Sequence, residues 1–112
     1  MQAVKWKIAV LLLVLAGCVR GTPFTLEQYQ RTSIPGLEQS VFVVAGDVHY
    51  TGHVDLRIVG SHDELLTEKL DAVRGDKLPF DFGNTKHVVE VISFDTHLTK
   101  TDYVHLTVYT EP

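Results

Sequence analysis

With 112 residues, 10 basic and 14 acidic side chains and a formal net charge of −4, the chain has room for one small domain. It also carries the wrong sign of charge for a nucleic-acid binder, whose affinity comes from basic groups set against phosphates. A single cysteine, Cys18, excludes an intrachain disulfide, so a small core must hold by packing alone. The chain opens with MQAVKWK, in which Lys5 and Lys7 have no acidic neighbour, and continues through an apolar run over 8–15 to the small residues Ala16 and Gly17. Charged start, short apolar run and small residues are the order of a signal peptide. The run is shorter than the roughly 20 residues a membrane span requires. The expectation is a leader over 1–17, cleaved between Gly17 and Cys18.

L-A-G-C, residues 15–18, resembles the lipobox of bacterial lipoproteins. The resemblance implies that the Cys18 sulfur takes a diacylglyceryl group and that its amine, freed by cleavage, is acylated too, with palmitate-type chains. Each buried methylene contributes about 0.8 kcal/mol and one chain binds only marginally, so two or three chains hold a protein on a membrane essentially permanently. By resemblance to enterobacterial sorting, Val19 is not the aspartate that retains a lipoprotein at the inner membrane. The implied location is the outer membrane, lipid-anchored on its periplasmic side. Loss of the leader leaves 95 residues with 8 basic and 14 acidic groups, which deepens the acidic character.

Residues 18–40 read as a lipidated N-terminus and tether, because Gly21, Pro23, Pro35 and Gly36 punctuate a polar stretch with little sustained apolar periodicity. Thr25 followed by Gln28 fits a capping box, which favours a short helical turn over 25–29. As flexible chain the tether would span roughly 25 Å.

From Val41 to the end, 41–112, the pattern turns to period two. Phe42, Val44, Val48 and Tyr50 share one face with Gly46, and Val41, Val43, Asp47 and His49 take the other. Thr51 and Gly52 form the turn into HVDLRIVG, which sets Val54, Leu56 and Ile58 inward and His53, Asp55 and Arg57 outward. SHDELLTEKLDAVRG is ambiguous. Ser61 and Glu64 form a capping box, Leu65, Leu66, Leu70 and Val73 cluster on one helical side, and propensity favours a helix. The same residues also read as a strand, with Leu66, Leu70 and Ala72 on one face. KHVVEVISFD is apolar on both faces, Val88, Ile92 and Phe94 opposite Val89 and Val91. DYVHLTVYT sets Val104, Leu106 and Val108 opposite Tyr103, His105 and Tyr109. The balance is antiparallel β.

No catalytic constellation emerges. His53 lies two residues from Asp55, which puts an imidazole and a carboxylate on one strand face, but metal sites need a third ligand and the spacings match no strong motif. His49 and His53 therefore read as exposed strand residues. Ser33, Ser40, Ser61 and Ser93 lack the setting of a nucleophile elbow. Gly46, Gly52, Gly60 and Gly75 stand singly and form no phosphate loop, and Asp47, Asp55, Asp63 and Asp71 lack calcium-loop spacing. Neither an enzyme nor a bound cofactor or metal is expected. An envelope hydrolase survives only if the His53 and Asp55 pair gains partners from elsewhere in the fold.

V-A-G-D-V-H-Y, residues 44–50, resembles the V-x-G-x-V-x-Y opening of the small β domain shared by type III secretion lipoprotein chaperones, the YscW pilotins, and YbaY-like lipoproteins. VDLRIVG, LLTEKLDAVRGDKLPFDF and HVVEVISF resemble later strands of that domain, with shorter loops before Val54 and after Phe82 than is usual. The resemblance covers most of 44–108. It implies an all-β fold, a small antiparallel β-sandwich of about six or seven strands, with Leu65–Ala72 as strand. It further implies an outer-membrane lipoprotein acting as a pilotin, escorting a type III secretion secretin by capturing a segment near the end of the secretin chain. The alternative is a cell-envelope structural or inhibitor lipoprotein of the YbaY-like type with no secretion role. The candidate partner surface is the face holding Val41, Val43, Val89, Val91, Tyr103 and Tyr109, provided the opposing sheet does not cover it.

Overall fold

Period-two alternation becomes eight strands in the computed structural model, which describes residues 21–97 and 101–111. They are β1 (Thr22–Glu27), β2 (Arg31–Ser33), β3 (Val41–His49), β4 (His53–Gly60), β5 (Leu65–Ala72), β6 (Lys77–Phe82), β7 (Thr85–Asp95) and β8 (Tyr103–Glu111). All pairings are antiparallel, in two four-stranded sheets ordered β1-β8-β7-β6 and β2-β3-β4-β5. The sheets stack face to face as the expected small all-β sandwich. The expected leader, Gly17 and Cys18 lie outside the described residues.

The core forms where the two inner faces meet. One sheet contributes Leu26, Leu78, Phe80, Val89, Val91, Val104, Leu106 and Val108, and the other Val41, Val43, Ala45, Val48, Val54, Leu56, Ile58 and Ala72. Each such Val, Leu or Phe side chain contributes about 1.5–3 kcal/mol on full burial, and no covalent cross-link assists them. Simple alternation holds along β4 and β8. It fails where a strand bulges. In β3 a register shift between Ala45 and Val48 turns Val48 inward with Val41 and Val43, away from the face of Phe42 and Val44. In β7 a shift between Val91 and Ser93 pushes Ile92 out and brings Phe94 to the core side with Val89 and Val91.

The expected tether is corrected over residues 21–40. β1 pairs with β8 from Thr22↔Val108 to Glu27↔Tyr103, β2 pairs with β3, and Leu26 and Ile34 are fully buried. Pro23 made the stretch look like a linker, but proline is tolerated on an edge strand, where its missing N–H faces no neighbour. The helical turn expected over 25–29 does not form, and Thr25 instead hydrogen-bonds His105 Nδ1 through its hydroxyl at 3.1 Å. Gly21, at φ +72°, starts this strand because a Cβ there would overlap the carbonyl of Val108. These two additions raise the strand count above six or seven.

Leu65–Ala72 is strand. Its helical propensity loses to pairing with β4, which buries Ala72 against Val54 and leaves the rest as the rim of the sheet. Irregularities at both ends of the ladder, one with Asp71 at φ +52°, bend β5.

Val91 is 1% exposed between the sheets. Val91→Asp should therefore unfold the domain, since an unpaired buried carboxylate costs several kcal/mol, comparable to the roughly 5–15 kcal/mol of total stability of a small protein. Loss of the cooperative thermal transition and of the β circular dichroism signal checks this.

Candidate functional site

Four of the six residues expected to form a partner surface are core. Val41, Val43 and Val89 have no exposed area and Val91 almost none, because the opposing sheet covers them. Tyr103 and Tyr109 lie on the opposite side of β8, half-buried on the outer face of the other sheet. The six therefore do not make one surface, and that expectation is withdrawn.

The outer face of the β2-β3-β4-β5 sheet is built differently. Register aligns Ser33, Phe42, Val59 and Leu65 in one row and Arg31, Val44, Arg57 and Glu68 in the next. Phe42 and Val44 are only partly exposed on this face. The Arg31 guanidinium sits 4.2 Å above the centre of the Phe42 ring, and its Nη1 donates to Asp63 Oδ1 at 3.0 Å. Cation–π contacts at such exposed sites contribute about 0.5–1 kcal/mol. The bulge at Gly46 leaves a depression of about 340 Å³ between Val44, Asp55, Arg57, Glu68 and Leu70.

A polar cluster closes the hairpin end of this face. His49 and His53 are directly opposed, and their rings stack with centroids 4.1 Å apart at an interplanar angle of 18°. Asp47 Oδ2 lies 3.3 Å from His49 Nε2, and Asp71 Oδ1 lies 3.3 Å from His53 Nδ1. The left-handed backbone of Asp71 brings that carboxylate to His53, and the Asp71 N–H donates to Asp55 Oδ1 at 2.8 Å. Asp55 thus holds the backbone of β5, and the anticipated His53 and Asp55 pair is not formed. Tyr29, also at positive φ, bonds Gly46 O through its N–H, and its hydroxyl titrates above its usual range because it is hydrogen-bonded to the Asp47 carboxylate. The cluster links the Tyr29 turn, the β3–β4 hairpin and the end of β5. Among the described residues no group of three or more His, Cys, Asp or Glu is placed to hold a metal ion.

At the opposite end, a cleft of about 500 Å³ opens between the sheets beside Thr22, Pro35, Leu37, His87 and Tyr109. His87 lies flat on Phe80, ring centroids 5.2 Å apart, so its role there is packing. What sequence reasoning missed is the outer face itself. Its signal was the run of leucines at 65, 66 and 70 interleaved with Thr67, Glu68 and Lys69, which is too polar on average for a buried strand.

Comparison with family models, with curated proteins and with solved structures returned no match.

The turn beside this face supplies a pH-dependent element. Glu64 accepts a hydrogen bond from its own backbone N–H and from that of His62, the latter at 2.9 Å, which holds its carboxyl below the ordinary value of 4.5. A depressed carboxyl stabilises the fold fully above that ordinary value, and the contribution disappears as pH falls through the lower folded value. Glu64→Gln should remove this part of the acid dependence. Thermal melts of both proteins from pH 7 to pH 3 should converge at the acid end.

Proposed function

We propose that this chain is an outer-membrane lipoprotein that acts as a pilotin, escorting a type III secretion secretin to its site of assembly. The observation that carries the reading is the L-A-G-C sequence at 15–18, followed within four residues by the first strand of a small β-sandwich. Escort requires an anchor, a rigid scaffold and a surface that recognises the cargo. Cys18 supplies the anchor by the lipobox resemblance, and the disulfide-free sandwich is the scaffold. The wide, solvent-open outer face of the β2-β3-β4-β5 sheet suits recognition of a chain segment better than it suits turnover of a small substrate. The similarity of 44–108 to the pilotin domain points the same way.

Cys18→Ser should abolish incorporation of a palmitate analogue while leaving the fold intact, because Cys18 precedes every strand among the described residues. Equal label in both proteins would overturn the anchor. In cells lacking this protein, the secretin should fall at least tenfold in outer-membrane fractions. Normal secretin assembly in such cells would overturn the pilotin reading in favour of an envelope role without a secretion partner.

A further inference from the structure

We infer that the cleft at the end of the sandwich, bounded by Thr22, Thr110, His87 and the 35–37 loop, is a binding site for a neutral sugar ring. The cleft holds about 500 Å³, within the range of roughly 300–1,000 Å³ usual for small-molecule sites. Its floor is the inner face of the β1-β8-β7-β6 sheet where that face runs past the core. Alternation sets Thr22 in line with Leu26, Thr110 with Val108 and His87 with Val89, and register places Thr22 against Val108 and His87 against Thr110. On all three strands the inward position thus changes from apolar to polar as the cleft opens. The other wall is the loop between β2 and β3, which contributes Pro35, Gly36 and Leu37. Its shape is fixed beforehand: the Leu37 N–H donates to Ile34 O at 2.9 Å, and the Gly36 N–H donates to Glu38 Oε2 at 2.7 Å.

The lining selects the ligand. Although 21% of residues in the chain are charged, none of the described residues along the cleft is Asp, Glu, Lys or Arg. A charged ligand would lose water there and find no countercharge. The two threonine hydroxyls and the imidazole all donate and accept hydrogen bonds, so an aliphatic chain seated on them would leave those groups unpaired. Stacking on Phe80, with centroids 5.2 Å apart, holds the His87 ring in place. On the loop side, Pro35 and Leu37 are half-buried, and Leu37 packs against the core. A pyranose matches this asymmetry, with hydroxyls round its rim and apolar C–H groups on its faces. The site stands apart from the pilotin reading and is testable without it.

The test uses the isotope-labelled, full-length lipidated chain in lauryldimethylamine oxide, a detergent that contains no sugar. Amide chemical shifts are followed as methyl β-glucoside, methyl β-galactoside, methyl α-mannoside and N-acetylglucosamine are added in turn. At least one of these should give saturable shifts at Gly36, Leu37, His87 and Thr110. Glucuronate, which adds a charge, and tetrahydropyran, which lacks the hydroxyls, should each bind at least tenfold more weakly than the best sugar. The Thr22→Val, Thr110→Val double variant should lose at least tenfold in sugar affinity, and the Thr22→Ser, Thr110→Ser variant should recover it. Thermal melts should be unchanged, because both threonines are exposed. No saturable shift with any of the four sugars overturns the inference. So does either comparator binding within tenfold of the best sugar, or wild-type affinity in the double valine variant. The comparator ligands decide the matter on wild type alone, whatever the stability of the variants.

Discussion

Mutual burial of two apolar inner faces, with no disulfide beneath them, is the constraint on which the rest of this molecule depends. A domain of this size hides a modest fraction of its surface, so every inward position must be used. The strands comply: Val54, Leu56 and Ile58 meet Val89, Val91, Val104 and Leu106 with almost no exposed area. The bulges in β3 and β7 serve the same end, returning Val48 and Phe94 to the core side after irregular turns of backbone. A binding role cannot then draw on the covered inner faces. The exposed Leu65 and Leu70 lie outside that constraint.

Two open sheets have four edges, and three devices close them to further pairing. β1 carries Pro23, β6 carries Pro79, and β2 is three residues long. β5 is bent by two irregularities and turns Lys69 to the inner side. Proline removes a donor, shortness removes the template, and an inward charge penalises continuation of the core. The edges thus resist self-association by strand pairing.

The regular part of this design was legible in the sequence. Alternation marked β3, β4, β7 and β8, and it set the faces of β4 and β8 correctly. Three things were not legible, each for a physical reason. β1 and β2 hid because proline and polar residues are permitted at edges, so a short edge strand has a linker's composition. Faces flipped at the bulges because a single extra residue inverts a period-two pattern, and only the partner strand shows where that residue sits. The valines at 41, 43, 89 and 91 looked available because strands apolar on both faces do not say which face is covered. For Leu65–Ala72, local propensity pointed to helix and tertiary pairing decided otherwise; the family resemblance, not periodicity, carried the strand assignment.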